Sequence, residues 1–210
     1  MKKMIKAVAL LLGATLLPIS AMAMPEAFIA GVHYKPTAQL LATSTEDKVE
    51  VIEMFSYACP HCFHLEPYVA KWEKTLPDNV VFIRVPAIFR DSWLELAKLY
   101  YTAEATGDLE KLHPLIFDAI HVKKRRMVTE DDMLDFVADQ GIDRDSFEKM
   151  MNSFAVKAKV KKALIMSQIS GITGVPSMIV NGKYISDAPM AGGQENLLKA
   201  VDFLILKESE

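Results

Sequence analysis

Residues 49–72 decide the fold, and they read VEVIEMFSYACPHCFHLEPYVAKW. The β-branched and apolar run over residues 49–55 predicts a strand that is buried on both faces. Directly after it come the only two cysteines of the chain, Cys59 and Cys62. Apolar residues then recur at helical spacing, at Leu65, Val69 and Trp72. The stretch therefore predicts a strand, a turn and a helix that begins at the cysteine pair.

The residues that follow this stretch predict a second strand and then a helical block. A strand over residues 80–85, ended by Pro86, completes a parallel β-α-β unit. Helical periodicity fills residues 91–170, and no strand pattern interrupts it. One of these helices is predicted over residues 109–122, where Pro114 would bend or restart it.

Strand patterns return near the C-terminus. Residues 177–180 and 183–185 are separated by Asn181-Gly182, the dipeptide that two-residue hairpin turns prefer. A last amphipathic helix is predicted over residues 194–206. Because the parallel unit and the hairpin can share one sheet, we predict an α/β fold with an all-helical insertion. The sheet domain would comprise residues 24–90 and 171–210, and the insertion residues 91–170.

Composition excludes several classes of protein. The chain has 210 residues, of which 51% are hydrophobic, and this is typical of a folded domain rather than a disordered one. Its 24 basic and 27 acidic residues give a formal charge of −3, so we expect no nucleic-acid partner. Two cysteines cannot form a disulfide-rich scaffold.

The N-terminus predicts export. Lysines 2, 3 and 6, an apolar run over residues 7–17 and the end Ala21-Met22-Ala23 are typical of a signal peptide cleaved after Ala23. The apolar run is shorter than the roughly 18 residues of a membrane span. A short buried helix or a retained anchor is the alternative. We therefore expect a protein that works outside the cytosol, where disulfides persist.

Four interpretations of Cys59-Pro60-His61-Cys62 compete. A c-type haem site needs a histidine directly after the second cysteine, where this chain has Phe63. A structural zinc site needs four ligands, and no second cysteine pair is present. A structural disulfide across so short a loop would remove little chain entropy, about 2 kcal/mol. A dithiol that cycles between reduced and oxidised forms fits the pattern best, and it needs no metal or other cofactor.

The spacing suits redox chemistry because it places Cys59 at the start of a helix. The unpaired N–H groups and the helix dipole stabilise a thiolate there. Pro60 is tolerated in the first turn, and His61 can add a positive charge or a hydrogen-bond donor. Cys62, one turn further along, is expected to be shielded. Since a stabilised reduced form makes the disulfide a stronger oxidant, the sequence favours an oxidase.

The chain resembles the DsbA family of bacterial periplasmic thiol:disulfide oxidoreductases over nearly all residues after 23. The resemblance rests on the order of elements, the helical insertion, C-P-H-C, and Gly174-Val175-Pro176 before the hairpin. It implies a thioredoxin-like fold with Cys59 as the attacking and attacked sulfur. Cys62 would resolve mixed disulfides, and His61 would tune the couple. Val175-Pro176 would be a cis-proline loop that offers Val175 backbone groups to a substrate strand.

The resemblance also implies partners. Substrates would be unfolded or newly exported proteins that contain cysteine, and a membrane protein of the DsbB type would reoxidise the enzyme. Isomerases and reductases of this superfamily are commonly dimers with an N-terminal dimerisation domain, for which too few residues precede the strand at 49–55. A monomeric oxidase is therefore favoured. Isomerase or reductase activity, or a peptide-binding folding helper with a merely structural bridge, are the alternatives.

Glu53 is a further candidate site residue. An acid in the middle of an apolar strand is costly unless it is paired or protonated. By resemblance, its position matches the buried acid of thioredoxin-like enzymes that relays protons near the resolving cysteine. An edge-strand carboxylate that reaches solvent is the alternative. Some family members pair this acid with a lysine on the second strand, but this chain has Arg84 and no lysine there. His113 and His121 show no pattern that indicates a partner.

Overall fold

The structure is a computed structural model that describes residues 28–209. The predicted signal peptide, residues 1–23, lies outside the described residues. Within this range the strands are β1 (Lys35–Pro36), β2 (Val49–Phe55), β3 (Val80–Pro86), β4 (Ser177–Val180) and β5 (Tyr184–Asp187). The α-helices are α1 (Pro60–Trp72), α2 (Leu94–Thr106), α3 (Leu109–His121), α4 (Glu130–Asp139), α5 (Arg144–Met151), α6 (Phe154–Ile169), α7 (Ala188–Ala191) and α8 (Gln194–Ser209).

The strands form one sheet in the order β1-β5-β4-β2-β3. β2 and β3 are parallel, whereas β4 is antiparallel to both β2 and β5. The β-α-β unit and the hairpin therefore share a sheet, as predicted. Asn181 and Gly182 have φ values of 50° and 65°, the left-handed pair that a tight hairpin turn needs. A Cβ atom at Gly182 would overlap the carbonyl oxygen of Leu41, so this position also requires glycine.

β2 lies at the centre of the core, and all seven of its residues are buried. Val49 and Val51 pack in a cluster with residues of α1 and α8. Ile52 and Met54 belong to a second cluster, which contains residues of α2 to α6. Both faces of the strand are thus covered, which explains its continuous apolar sequence. Since β2 lies between β4 and β3, the interpretation of Glu53 as an edge-strand carboxylate is wrong.

Helices fill the chain from Leu94 to Ile169, and no strand interrupts this described segment. Thr129 and Asp132 form a capping box at the start of α4. Of the two outcomes expected at Pro114, a bend or a restart, the restart is excluded, because α3 continues through Pro114. Burial of its apolar face, at Leu112, Ile116 and Phe117, holds the helix together despite the lost backbone hydrogen bond. The domain boundaries near residues 90 and 170 stay a prediction.

None of the helices within residues 28–209 is both long enough and apolar enough to cross a membrane.

Candidate active site

The cysteine pair lies where β2 turns into α1. The Cys59 amide donates to the carbonyl of Ser56 at 3.0 Å, and the Ala58 amide donates to the Ser56 hydroxyl at 3.2 Å. Cys59 is the N-cap residue of α1 with extended backbone, and Pro60 is the first helical residue. The first turn therefore presents free N–H groups next to Cys59, as the sequence predicts.

The two thiols differ in accessibility and in their contacts. Both are free cysteines, with 9% of Cys59 exposed and none of Cys62. The Cys59 thiol donates to the carbonyl oxygen of Val175 at 3.3 Å. The Val175-Pro176 peptide bond is cis, as the family resemblance implies. The loop before β4 thus packs directly against the outer cysteine.

The surroundings of Cys59 favour its thiolate and lower the pKa of Cys59 to about 6. The hydrogen bond from the Cys62 thiol has the largest effect, and burial opposes it. The backbone N–H groups of Cys62 and His61 and the charge of His61 lower the pKa further. The exposed His61 side chain is therefore one of several contributors rather than the main one.

Cys62 behaves in the opposite way. Burial raises the pKa of the Cys62 thiol far above its ordinary value, and the hydrogen bond with Cys59 and the Cys59 charge add to this. The charge of Glu53 acts in the same direction, which couples the buried acid to the inner cysteine. The inner thiol therefore needs a proton acceptor before it can react as a nucleophile.

Arg84 provides the partner of Glu53 that the sequence left open. The two residues are opposite each other in the β2–β3 register, and Arg84 Nε lies 3.3 Å from Glu53 Oε2. The guanidinium also contacts Glu66 of α1 and Glu73, each at 3.1 Å. Among residues 28–209, Glu53 Oε2 and Arg84 Nε nevertheless have no partner in hydrogen-bond geometry. The ion pair is close but not fully satisfied.

This environment makes Glu53 a weak acid. Burial has the largest effect, and together with the charges of Glu66 and Glu73 it raises the pKa of Glu53 to about 8, although Arg84 opposes the shift. Only 1% of the residue is exposed. A carboxyl group with such a pKa can both accept and release a proton near neutral pH.

Three residues near the cysteines were missed at the level of sequence: Tyr57, His113 and His121. The Tyr57 hydroxyl lies 2.8 Å from Nδ1 of His113, and the Tyr57 carbonyl lies 2.7 Å from Nε2 of His121. His121 also stacks on Phe63, with ring centroids 5.0 Å apart. The two histidines are eight positions apart on α3, slightly more than two turns. That spacing was the available signal that both lie near one face of the helix.

Two cavities adjoin these residues. One of about 460 Å³ lies beside the cysteine motif and is lined by His61, Gly174, Val175, Pro176, Ala188 and Gln194, among others. The other, of about 920 Å³, is a cleft between α1 and α3 with Glu66, Arg84 and His113 in its wall. No group of three or more His, Cys, Asp or Glu side chains within residues 28–209 could hold a metal ion.

Comparison with known protein families matches residues 50–202 to the DSBA-like thioredoxin domain. The chain belongs to the DsbA family. It is 39% identical over 181 residues to the thiol:disulfide interchange protein DsbA of Pseudomonas aeruginosa, which covers 86% of each chain. It is 45% identical over 161 residues to DsbA of Azotobacter vinelandii, covering 77% of this chain and 75% of that one.

The fold agrees with this assignment. The crystal structure of Pseudomonas aeruginosa DsbA superimposes with a TM-score of 0.82 at 39% identity, and the match covers 86% of this chain and 94% of that chain. The chain is therefore a DsbA-type protein disulfide oxidoreductase, with a thioredoxin-like fold and a helical insertion.

Proposed function

We propose that this DsbA-family protein oxidises the thiols of other proteins by passing on a Cys59–Cys62 disulfide. The observation that carries the proposal is the asymmetry of the pair. Cys59 is partly accessible, and its thiolate is favoured, whereas Cys62 is fully buried and its thiolate is disfavoured, in part by the charge of Glu53. A stabilised Cys59 thiolate is a good leaving group and favours the reduced enzyme, so the oxidised enzyme gives up its disulfide readily.

The reaction consists of two exchange steps. A substrate thiolate attacks Sγ of Cys59, the Cys59–Cys62 bond breaks, and Cys62 leaves with the electron pair and takes up a proton. A second substrate thiolate then attacks the substrate sulfur of the mixed disulfide, and Cys59 leaves as a thiolate. The substrate loses two electrons and gains a disulfide, while the enzyme ends as a dithiol. Where no second substrate thiol is available, Cys62 attacks Cys59 and releases the substrate.

Glu53 serves Cys62 in both directions. Protonated Glu53 gives its proton to Cys62 when that thiolate leaves, and ionised Glu53 removes the proton when Cys62 attacks. The pKa of about 8 keeps both forms of Glu53 available near neutral pH. Direct exchange with solvent is limited, since 1% of the residue is exposed.

The loop at Val175 and Pro176 forms the substrate-binding edge. An extended substrate segment can pair with the backbone of Val175, whose carbonyl already contacts Cys59. The cavity of about 460 Å³ next to this loop has room for one or two side chains of the substrate. Many of its lining residues have small side chains, among them Gly174, Ala188 and Gly193, which suits recognition of many different sequences. His61 at its rim tunes the Cys59 thiolate, and Pro60 sets the start of α1.

The family and the pattern of residues 1–23 support a proposed compartment and proposed partners. The signal-peptide pattern would direct the chain to the periplasm, where newly exported proteins carry reduced cysteines. Since each turnover leaves the enzyme as a dithiol, an oxidant must restore the disulfide, and a membrane protein of the DsbB type would supply it. We expect the enzyme to act as a monomer.

The test is a redox titration of the purified protein in glutathione buffers, combined with trapping of the mixed disulfide. We expect a strongly oxidising couple, and we expect Cys62→Ser to accumulate a covalent complex with a reduced substrate protein through Cys59. A strongly reducing couple would instead indicate a reductase. Absence of the covalent complex would contradict the role of Cys59.

A further inference from the structure

His113 of α3 connects two parts of the site that the reaction uses separately. Its Nδ1 atom lies 2.8 Å from the hydroxyl of Tyr57, which is two residues before Cys59. Its Nε2 atom lies 3.3 Å from Oε2 of Glu66, the carboxylate that shares Arg84 with Glu53. The ring is buried, with 7% of the residue exposed. One imidazole from the inserted helices therefore spans the active-site loop and the buried ion-pair cluster.

The contacts of His113 favour one of the two neutral tautomers of its ring, the one with the hydrogen on Nε2. Tyr57 is fully buried, and burial raises the pKa of Tyr57 well above its ordinary value, so the hydroxyl keeps its proton. That hydroxyl can donate or accept, but the ionised Glu66 carboxylate beside Nε2 only accepts, so the favoured neutral ring carries its hydrogen on Nε2 and accepts from Tyr57 at Nδ1. A protonated ring also carries a hydrogen at Nε2. In both states Nε2 carries a hydrogen beside the Glu66 carboxylate, and because this 3.3 Å contact lies outside hydrogen-bond geometry, the attraction is electrostatic.

The charged groups around His113 allow the hydrogen on Nε2 to affect how Arg84 is shared among its carboxylate partners. The titratable or charged groups near it are Tyr57, Glu66, Glu73, Arg84 and Glu53, with Tyr100 of α2 packed against its ring and Glu110 and Lys74 in the wall of the same cleft. Arg84 alone contacts three of these carboxylates. Because one guanidinium cannot satisfy three carboxylates equally, any donor that relieves Glu66 leaves more of Arg84 for Glu53.

We propose that His113 is a positioning residue for the redox reaction, which holds Glu66 with its Nε2 hydrogen and thereby sets how readily Glu53 loses its proton. The inference rests on the proposed role of Glu53. Without the donor at Nε2, Glu66 draws Arg84 away from Glu53. The negative charge of Glu66 is then also less compensated. Both changes disfavour ionised Glu53, so proton removal from Cys62 requires a higher pH.

A pair of amide substitutions tests this inference. The side-chain NH₂ of glutamine can take the place of Nε2, whereas the shorter asparagine reaches only the place of Nδ1. The readout is the pH dependence of the rate at which Cys62 resolves a mixed disulfide between Cys59 and glutathione. We expect His113→Asn to move the midpoint of this profile upward by about one pH unit, and His113→Gln to retain the wild-type midpoint. Equal midpoints in wild type and His113→Asn would overturn the inference.

Two controls separate positioning from general destabilisation. His121→Asn removes the contact of His121 Nε2 with the Tyr57 carbonyl but leaves Nε2 of His113 opposite Glu66, so it should lower the melting temperature without moving the midpoint. The His113→Asn shift should vanish in a Glu53→Gln background. A shift that persists there would contradict the inference. If Glu53→Gln alone keeps the wild-type pH profile, the proposed role of Glu53 is contradicted as well. If Glu53→Gln abolishes the midpoint but His113→Asn does not move it, only the proposed role of His113 is contradicted.

A measurement on the unmodified protein avoids any dependence on variant folding. Nitrogen NMR of the histidine rings reports which nitrogen carries the hydrogen. At neutral pH we expect His113 to carry it on Nε2, with a ring signal that shifts as Glu53 titrates. A hydrogen on Nδ1 alone, or a ring signal that does not change with Glu53, would contradict the inference.

Discussion

Cys59 and Cys62 lie within one helical turn, yet their surroundings differ in kind. Around Cys59, the thiolate is favoured by the Cys62 thiol and by backbone N–H groups of the first turn. Around Cys62, burial and the nearby charges disfavour the thiolate. The free N–H groups of the first turn face the side chain of the N-cap residue Cys59, whereas Cys62, three residues along α1, is buried, and this difference separates a reactive thiol from a protected one. We call the surroundings of Cys59 the outer region and those of Cys62 and Glu53 the inner region. The outer region makes one thiol reactive, and the inner region controls the proton of the other.

Substitution of the two cysteines should separate these regions most clearly. Cys59→Ser removes the sulfur that the substrate attacks, so we expect oxidation of a reduced substrate protein to fall by on the order of 10³-fold or more. Cys62→Ser should also stop turnover, but it should leave Cys59 reactive and trap substrates covalently. Non-reducing gel electrophoresis distinguishes the two results. Trapping by Cys59→Ser would show that the roles are reversed.

From the burial of Glu53 in the inner region, we expect Glu53→Gln to gain stability in a pH-dependent way. The pKa of Glu53 is raised from its ordinary value of 4.5 to about 8. The contribution of protonated Glu53 to the free energy of unfolding is therefore fully present below about pH 4.5 and is lost as the pH rises through 8. Glutamine does not ionise. Relative to wild type, the variant should therefore gain stability between pH 5 and 9, by roughly 3 kcal/mol. Denaturant unfolding at several pH values measures this.

Glu50 on the same strand provides a matched control. It is also buried, but its carboxylate accepts hydrogen bonds from the Ser44 amide, at 2.8 Å, and from the Ser44 hydroxyl. Glu50→Gln should weaken these bonds and cost about 1–2 kcal/mol rather than stabilise the protein. The same pH-dependent gain in both variants would mean that burial alone, and not the charge cluster around Arg84, distinguishes Glu53.

The outer region predicts the order of two smaller effects on Cys59. The pKa of Cys59 is lowered to about 6, mainly by the Cys62 thiol and less by the charge of His61. We expect Cys62→Ala to raise the midpoint of Cys59 thiolate absorbance by about one unit or more, and His61→Gln to raise it by less. For the wild type, the stabilisation of the reduced form that comes from the thiolate should be lost as the pH falls through 6. A larger effect of His61→Gln would reverse the assignment.

The smallest effect is expected far from the cysteines. Thr129 caps α4 by accepting a hydrogen bond from the Asp132 amide at 3.2 Å. Thr129→Ala should cost about 1 kcal/mol of stability, measured by thermal unfolding, and should leave the Cys59 midpoint unchanged. A changed midpoint would show that the stability of the insertion as a whole, rather than the contacts of α3, acts on the redox pair.

Features encoded by neighbouring residues were predictable from the sequence. The apolar run of β2, the hairpin dipeptide Asn181-Gly182 and the cysteine spacing each lie within a few positions, and each was confirmed in the structure. The four-residue helix α7 was missed because it is too short to show a helical period. Continuation of α3 through Pro114 depends on tertiary burial, which local rules do not capture.

The candidate site was less predictable wherever it depends on distant residues. Arg84 was visible in the sequence, but its pairing with Glu53 depends on the register of β2 and β3. The contact between Tyr57 and His113 spans 56 positions, and no local pattern indicates it. The sequence therefore identified the cysteines and the buried acid, whereas the ion-pair cluster and the histidines of α3 needed the folded chain.

The contact between Cys59 and Val175 has a consequence for biosynthesis. The two residues are 116 positions apart, so the cysteine pair is made well before the loop that covers it. The segment around Leu41 likewise waits for Gly182, against which its backbone packs. Until β4 and β5 arrive, the nascent chain holds two uncovered thiols next to an incomplete sheet. An enzyme that acts on the thiols of other proteins is therefore itself open to mixed disulfides with other thiols until the last part of its sequence has folded.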